Sequence, residues 1–333
     1  MKKIIKKIKS NISIISKEWT QDVQEYSWKL AITRLGSTVF RLLRLNNISV
    51  IFANKKNAIV MEYLRLNYGY VFQKYQKNQN SIILRKSDCK AAPIWVCWFD
   101  GVENAPPLVK RCIESIFEHA NGHPVHVITW ENIFDYVDMP QILKDKVASK
   151  KIGLAHYSDI LRVHLLEKYG GLWLDATIFC NRDLPEYYFT TEFFTCKSDC
   201  TTPGCISSNR WTTFCLGGSE GNILFKVLKD FYLSYWNKES CAIDYLFFDD
   251  AIELAQEMIP LVKQEIDSVL ENNVRRDELI SRFSEPWDEL VVADLIDSDT
   301  ILFKLGYREN KFLQEYDSQG RLTVYSAFIK KLF

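Results

Sequence analysis

Asp159, Arg162 and Asp175 are the side chains whose types and spacing could do chemistry. On a helix, Asp159 and Arg162 are three positions apart and therefore share one face. Asp175 is the only charge in the apolar stretch from Leu172 to Phe179, and a lone buried carboxylate needs a partner. A guanidinium makes charge-assisted, paired hydrogen bonds with carboxylates and phosphates. The three residues therefore predict either an anion site, in which Arg162 contacts a phosphate or orients Asp175, or an ion pair on a helix surface.

A helix, a sharp turn and a buried strand must position these residues. Apolar residues that would hide one face of the helix recur at Leu161, Leu165 and Tyr169. Gly170 and Gly171 allow the chain to reverse and another molecule to approach the backbone closely. The stretch from Leu172 to Phe179 is short and apolar, which predicts one core strand. Asp175 would then lie near the carboxyl end of a central strand, where open α/β sheets bind ligands; the alternative is a carboxylate that caps the next turn.

The flanking residues predict the rest of a sheet. Ile94 to Phe99 and Val125 to Thr129 are apolar, β-branched runs that predict buried strands, and a helix from about Leu108 to Ala120 separates them. This strand, helix, strand order predicts a parallel sheet with right-handed crossovers. Further elements are predicted at Pro140 to Ser149 (helix), Glu192 to Cys196 (strand), Asn222 to Trp236 (helix) and Asp244 to Met258 (helix), with a charged helix ending near Asn273.

Residues 1–90 predict a helical, basic extension ahead of an α/β catalytic domain at 91–333. Helical periodicity runs from Glu18 to Leu45 and from Asn57 to Gln76. Up to Arg44 there are ten basic residues against three acidic ones. Isoleucines alternate with lysines at helical spacing, at Ile4, Ile5, Ile8 and Ile12. This pattern predicts either a helix lying on an anionic membrane surface or a solvated, frayed terminus.

The composition excludes several classes of function. Lys plus Arg and Asp plus Glu both total 42, so the formal net charge is +0 and no nucleic acid is expected as a partner. No apolar run approaches the roughly 18 to 20 residues that span a bilayer, and no signal peptide is recognisable. The nine cysteines include no Cys-x-x-Cys pair, which favours a reducing compartment. We therefore expect a cytoplasmic protein, with peripheral contact to the inner face of the plasma membrane if the basic terminus binds lipid.

The spaced motifs resemble those of the capsular polysaccharide synthesis proteins, which belong to the Och1-like, family 32 glycosyltransferases. The central motif is Ser-Asp-x-x-Arg from Ser158, then Tyr-Gly-Gly from Tyr169, then Trp-Leu-Asp-Ala-Thr ending at Thr177. The resemblance extends upstream to the run Ile94 to Gly101 and to Pro106-Pro107, and downstream to Asp244-Tyr245 and Asp249-Asp250. It covers residues 91–305.

The resemblance implies a GT-A type, Rossmann-like domain that binds a nucleotide sugar, with a uridine diphosphate sugar favoured. Such enzymes usually hold the donor diphosphate through a divalent metal ion, Mn²⁺ or Mg²⁺, on an Asp-x-Asp motif. Asp175 matches the first acidic position. The chain departs from the motif at Thr177, which offers a hydroxyl and no charge. Asp175 and Thr177 are therefore the implied metal ligands, and the alternative for Thr177 is a residue that merely favours a strand.

The resemblance also places the central motif at the donor site. The donor-binding residues implied by this motif are Tyr157, Asp159, Arg162, Gly170 and Gly171. Asp159 would accept hydrogen bonds from ribose or sugar hydroxyls. Trp98, at the end of the first strand, would either stack on the nucleotide base or pack in the core. Lys304 would either bind the diphosphate as a late-chain cation or be a solvated edge residue.

The predicted catalytic residues are Asp175, Asp244 and Asp249. Asp244 and Asp249 are acidic residues in an otherwise apolar predicted helix. Asp244 suits a helix N-cap, which would be a structural role. Asp249 would face the cleft, where a carboxylate in the resembling enzymes is a candidate to position the acceptor or to stabilise an oxocarbenium-like state.

These features predict a retaining hexosyltransferase that moves a sugar from a nucleotide-sugar donor to a glycan or lipid-linked acceptor in capsular or surface polysaccharide biosynthesis. Retention is implied by the resemblance alone. One rival is a non-catalytic GT-A-fold scaffold protein of a polysaccharide assembly complex, which Thr177 favours. Another is a metal-dependent phosphohydrolase, which would need more clustered metal ligands than the sequence offers.

Overall fold

A five-stranded sheet forms the centre of the computed structural model, which describes residues 13–78, 92–308 and 313–333. Its strands are β1 (Ile94–Cys97), β2 (Val125–Ile128), β3 (Gly171–Leu174), β5 (Phe193–Thr195) and β6 (Cys215–Gly218). The spatial order is β2-β1-β3-β6-β5. A separate two-stranded sheet pairs β4 (Ile178–Cys180) with β7 (Leu302–Lys304).

The helices on and around the sheet have the following bounds. They are α1 (Trp28–Leu42), α2 (Asn46–Asn78), α3 (Pro107–Glu118), α4 (Ile133–Tyr136), α5 (Gln141–Ala148), α6 (Leu154–Tyr169), α7 (Tyr187–Thr190), α8 (Ile223–Lys238), α9 (Phe247–Met258), α10 (Pro260–Ser268), α11 (Leu279–Arg282), α12 (Glu289–Ile296) and α13 (Val324–Ile329). Residues 13–21 are helical and continue into a π-helical turn, Asp22–Tyr26.

The predicted α/β class with parallel strands is confirmed. β1 pairs in parallel with both β2 and β3, so that Ile94 lies opposite Val125 on one side and Leu172 on the other. Helices α3 and α6 make the crossovers between these strands, as the alternating sequence pattern predicts. β6 runs antiparallel to β3, and β5 runs antiparallel to β6. The parallel part of the sheet therefore ends at β3.

The apolar run from Leu172 to Phe179 was predicted as one strand and is two strands in different sheets. β3 ends at Leu174, the residues from Asp175 to Thr177 turn, and β4 starts at Ile178. The amide of Ile178 donates to the carbonyl of Asp175 at 2.9 Å, which closes the turn. Both strands are fully buried, so an unbroken apolar run gives no sign of the break. The break matters because it turns Asp175 out of the sheet.

The structural alternative for Asp244, the N-cap of the helix that follows it, is wrong, while its catalytic role stays a prediction. Helix α9 begins at Phe247, and Leu246 occupies its N-cap position. Asp244 is instead only 6% exposed and forms ion pairs with Arg34 and Lys56. The acidic residue therefore serves long-range contacts that the local helical pattern cannot reveal.

The N-terminal helices share a hydrophobic core with the rest of the protein. Leu30 of α1 and Tyr68 and Phe72 of α2 pack in the same cluster as Phe231 of α8 and Phe247 of α9. The ring centroids of Tyr68 and Phe231 are 5.7 Å apart in an edge-to-face contact. The predicted amphipathic segment from Ile4 to Ile12 lies outside the described residues. Among those described, no helix is long and apolar enough to cross a membrane.

A buried ion-pair network joins the N-terminal helices to the loop before α9. The Nε atom of Arg34 lies 2.7 Å from Asp22 Oδ2, and its Nη1 atom lies 3.1 Å from Asp244 Oδ1. Arg34 also donates to the carbonyl oxygen of Ile243 at 2.6 Å, and Lys56 binds the second oxygen of Asp244. Burial alone would raise the pKa of Asp244, but the charges of Lys56 and Arg34 hold it below its ordinary value.

We expect Arg34→Met to destabilise the fold by about 3 to 5 kcal/mol, because it leaves Asp22 and Asp244 buried without their shared partner. Arg41→Met is the matched control, since Arg41 is exposed in the last turn of the same helix and should change stability by about 0.5 kcal/mol at most. Urea unfolding followed by far-ultraviolet circular dichroism measures both. Equal stability of the two variants would show that the network does not hold the N-terminal helices.

Candidate active site

A pocket of about 650 Å³ opens at the carboxyl ends of β1 and β3. Its wall is built from the end of β1, the first half of α6, the turn between β3 and β4, the loop before α9, and the residues after β7. Side chains that carry charge or a ring into this wall are Trp98, His156, Asp159, Arg162, Trp173, Asp175, Asp244, Tyr245, Phe248, Asp249, Lys304, Tyr307 and Arg308. Open α/β sheets place ligands at this edge, so the pocket is the candidate active site.

Asp175 lies at the centre of this pocket and is held by three donors. Its Oδ1 atom accepts from Trp173 Nε1 at 3.0 Å and from Arg162 Nη2 at 3.3 Å. Its Oδ2 atom accepts from Lys304 Nζ at 2.9 Å. Burial alone would raise the pKa of this carboxyl, but the charges of Lys304 and then Arg162 bring it down to about 2. Asp175 is therefore a fixed anion at neutral pH.

Arg162 links the helix to the turn. Its Nη2 atom lies 3.0 Å from Asp159 Oδ1 and 3.3 Å from Asp175 Oδ1, and its Nη1 atom donates to the carbonyl oxygen of Thr213. The guanidinium lies 4.8 Å from the ring centroid of Trp173 and is only 4% exposed as a residue. The alternative of a solvated ion pair on a helix surface is therefore wrong, because both carboxylates meet a buried cation.

Lys304 reaches the pocket from the second sheet. In the antiparallel pairing of β4 with β7, Lys304 lies opposite Ile178, directly after the turn that holds Thr177. Its Nζ atom donates to Asp175 Oδ2 at 2.9 Å and to Thr177 Oγ1 at 2.8 Å. The alternative of a solvated edge residue is therefore wrong.

The same contacts test whether Asp175 and Thr177 fit a divalent cation. They supply one carboxylate and one hydroxyl, and both already accept from the ammonium group of Lys304. Within the described part of the chain, no group of three or more His, Cys, Asp and Glu side chains could hold a metal ion. Mg²⁺ is usually bound by one or two carboxylates together with substrate phosphates and water. Because the ammonium group of Lys304 takes both oxygens at this turn, the donor set does not fit a resident metal ion.

Asp249 lies in the part of the pocket wall that the first turn of α9 forms. Its Oδ1 atom accepts from Trp211 Nε1 at 2.9 Å. Burial raises the pKa of Asp249 to about 6, although the hydrogen bond from Trp211 opposes this shift. The side chain therefore changes charge close to neutral pH, which is common for carboxyl groups at functional sites.

His156 and Trp98 also line the pocket. Trp236 Nε1 donates to His156 Nε2 at 3.1 Å, so Nδ1 of neutral His156 carries the proton and faces Asp159 Oδ2 at 3.5 Å. Trp98 is half-buried, and its ring lies edge-to-face against Tyr307 at 5.5 Å between centroids. Both of these rings line the cavity.

Sequence reasoning missed Tyr307 and Arg308. Both line the pocket, and Arg308 Nε donates to the hydroxyl of Tyr307 at 3.2 Å. The available signal was a second cation four positions after Lys304. That signal is weak without the sheet pairing that brings this segment to the pocket.

Three predicted donor-binding residues lie away from the pocket lining. Tyr157 is 1% exposed and packs against Phe99 and Trp130, whose rings stack on each other. Gly170 and Gly171 lie at the opposite end of β3, with φ angles of 64° and 90°. A Cβ atom on Gly171 would lie 2.1 Å from the carbonyl oxygen of Pro93, so this glycine is required by close backbone packing. The two glycines orient the strand that leads to Asp175.

Comparisons with known proteins agree with the motif resemblance. A family model described as "Capsular polysaccharide synthesis protein" matches residues 41–324. A curated relative, the O-glycosyltransferase braB of Annulohypoxylon truncatum, is 28% identical over 102 residues. The match covers 28% of this chain and 24% of the relative, so the chain spans about a quarter of that relative's length.

The raised pKa of Asp249 predicts how stability depends on pH. Because the folded-state pKa of about 6 lies above the ordinary 3.8, this group's stabilising contribution is complete below about pH 4 and is lost as the pH rises through 6. Between pH 4 and pH 8, we expect the free energy of unfolding of the wild type to fall by about 1 to 3 kcal/mol more than that of Asp249→Asn, which has no carboxyl group to titrate at this position. Urea unfolding at pH values from 4 to 8 measures it. The control is Asp138→Asn, which changes an exposed carboxylate. If the free energy of unfolding depended on pH equally in the two variants, the raised pKa of Asp249 would be wrong.

Proposed function

We propose that this chain, which belongs to the capsular polysaccharide synthesis protein family, is a glycosyltransferase that uses a nucleotide-sugar donor. The observation that carries the proposal is the cluster of Asp159, Arg162, Asp175 and Lys304 in a pocket at the carboxyl ends of parallel strands. Fixed cations in such a place suit a diphosphate, whose negative charge increases as the sugar leaves. The partial similarity to an O-glycosyltransferase supports the same reaction class.

The proposed fold is of the GT-A type, with residues 91–333 as the catalytic domain and residues 1–90 as an extension. The pocket then divides into two sides. Trp98 and Tyr307 offer an aromatic edge for a flat nucleotide base, and uracil is the base we propose. Asp159 offers a carboxylate to ribose or sugar hydroxyls, and Tyr245, which is 91% exposed at the rim, offers a ring to an acceptor sugar.

The proposed chemistry is transfer of a hexose with retention. The bond from the anomeric carbon to the terminal phosphate oxygen breaks, and a new bond forms from that carbon to the acceptor oxygen. The acceptor attacks from the side that the nucleotide leaves, and its proton passes to the departing phosphate. The acceptor is a glycan or a lipid-linked glycan in surface polysaccharide assembly. Asp249, in its charged form, would stabilise positive charge on the sugar ring.

A panel of nucleotide sugars tests this proposal. The purified chain is incubated with each donor and with lipid-linked or free glycan acceptors, and donor binding and nucleotide release are measured. We expect one donor to release nucleotide in an acceptor-dependent way, and Asp175→Asn to slow this by about 10² to 10³-fold because it loosens the cation cluster. Asp138→Asn, with a fully exposed carboxylate, should match the wild type.

Two other results would overturn the proposal. Donor binding without release, even with acceptors present, would identify a scaffold protein. Release that does not increase with any acceptor, and no glycan product, would identify a hydrolase.

We also propose contact with an anionic membrane surface through the turn between α1 and α2. Leu42, Leu43 and Leu45 are 56%, 61% and 46% exposed there, and Arg41 and Arg44 lie between and beside them. Exposed leucines flanked by arginines suit insertion at an interface of anionic lipid headgroups. This site lies within the described residues, unlike the basic segment that precedes residue 13.

Sedimentation with vesicles tests the membrane contact. We expect binding to vesicles that contain phosphatidylglycerol, weaker binding to pure phosphatidylcholine, and a loss of about tenfold or more when Leu42, Leu43 and Leu45 are all changed to Gln. The matched control changes three other exposed leucines, Leu66, Leu270 and Leu290, to Gln. Equal binding of both triple variants would exclude this surface, and self-association through the leucines would appear as a dimer in ultracentrifugation without lipid.

A further inference from the structure

We propose that the ammonium group of Lys304 occupies the place of a divalent cation, so that the chain binds and activates its donor without metal. The inference rests on the proposed nucleotide-sugar reaction. The motif resemblance predicted Mn²⁺ or Mg²⁺ on Asp175 and Thr177, and that prediction stays untested. The arrangement of charges around this turn favours the opposite outcome.

Lys304 and a metal ion would compete for the same space. Lys304 Nζ lies 2.9 Å from Asp175 Oδ2 and 2.8 Å from Thr177 Oγ1, so it sits between the two oxygens that would bind the metal ion. Mg²⁺ lies about 2.0 to 2.1 Å from its oxygen ligands. An ion bound to both oxygens would therefore overlap with the ammonium group. Metal ion and lysine cannot occupy this position together.

Asp175 has little acceptor capacity left for a metal ion. An ionised carboxylate has about four lone-pair sites. Three of them are already taken, by Trp173 Nε1, Arg162 Nη2 and Lys304 Nζ. The local charges also balance, since Asp159 and Asp175 face Arg162 and Lys304. A divalent cation would add two positive charges beside two existing ones, whereas a diphosphate would meet cations already in place.

Backbone contacts hold the end of the strand that carries Lys304. Lys304 ends β7, its amide donates to the carbonyl oxygen of Arg276 at 2.7 Å, and the amide of Leu305 donates to the carbonyl oxygen of Thr177 at 2.9 Å. The ammonium also lies 5.2 Å from the ring centroid of Phe214. The backbone bonds fix the start of the side chain, and the hydrogen bonds to Asp175 and Thr177 orient its ammonium group. A cation that is oriented before the ligand binds stabilises developing charge most effectively.

The function of Lys304 follows from its hydrogen-bonding capacity. An ammonium group has three N–H donors. Asp175 and Thr177 take two, and the third is available to the terminal phosphate of the donor. As the bond between the anomeric carbon and that phosphate breaks, the electron pair stays on the phosphate oxygen, and Lys304 stabilises its charge. Arg308, in the same pocket wall, can serve the other phosphate.

Metal binding tests the inference directly, without an activity assay. Mn²⁺ alone is titrated into the chelator-treated protein and followed by electron paramagnetic resonance. We expect no stoichiometric site in the wild type. The double variant Thr177→Asp with Lys304→Ala removes the ammonium and supplies a second carboxylate, so it should bind one Mn²⁺. A stoichiometric site in the wild type that Thr177→Ala abolishes would overturn the inference.

Nucleotide binding and turnover give the second readout. With EDTA present, we expect uridine diphosphate to bind the wild type, and the transfer rate to stay within about twofold of the rate with Mn²⁺. Lys304→Met should lower the metal-free rate by about 10² to 10³-fold, and Lys304→Arg should retain part of it. Lys110→Met, an exposed lysine on α3, is the matched control. Activity that appears only with Mn²⁺ would overturn the inference.

The two proposals fail in different ways. If no nucleotide sugar or nucleoside diphosphate binds under any condition, the proposed function fails, and the Mn²⁺ titration still decides whether Lys304 excludes a metal ion. If nucleotide binds only with Mn²⁺, the proposed function survives and the role of Lys304 as a metal substitute is wrong. Circular dichroism spectra of every variant exclude a loss of folding as the cause.

Discussion

The need to neutralise one buried carboxylate governs the centre of this structure. Asp175 follows a fully buried strand, where an uncompensated charge would cost several kcal/mol. Trp173, Arg162 and Lys304 meet this need with three hydrogen bonds, and each comes from a different element: the strand, the preceding helix and the second sheet. Because these partners must converge on one group, the carboxylate fixes the relative positions of β3, α6 and β7. The same convergence produces a cluster of cations at the mouth of a pocket.

A second charged network supports the opposite wall of that pocket. Arg34 and Lys56, from the two N-terminal helices, both bind Asp244 in the loop before α9. This loop carries Tyr245 at the pocket rim and leads into the helix that holds Asp249. The N-terminal helices are thus part of the scaffold of the site. The family model begins at residue 41, so its match includes Lys56 but not Arg34.

Much of the fold was predictable because its signals are local. The periodicity that predicts α6, the β-branched runs of β1 and β2, and the strand, helix, strand order all depend on residues close in sequence. The residues Asp159, Arg162 and Asp175 could be grouped for the same reason. Where local signals conflict with tertiary contacts, the predictions were wrong. The run from Leu172 to Phe179 is split because its two halves pair in different sheets. Asp244 forms an ion pair with Arg34 and does not cap the helix that follows it.

The sequence by itself determined the α/β class, the motif around Asp175 and Thr177, and the helix face that carries Asp159 and Arg162. Only the tertiary structure decided what those residues meet. Lys304 is 129 positions from Asp175 and reaches it through the register of β4 against β7, and Asp244 is 210 positions from Arg34. Such pairings depend on how strands and helices pack across the whole chain, and no periodicity within a segment encodes them. The sequence therefore places a carboxylate and a hydroxyl two positions apart, while the fold sets the cation that binds both of them.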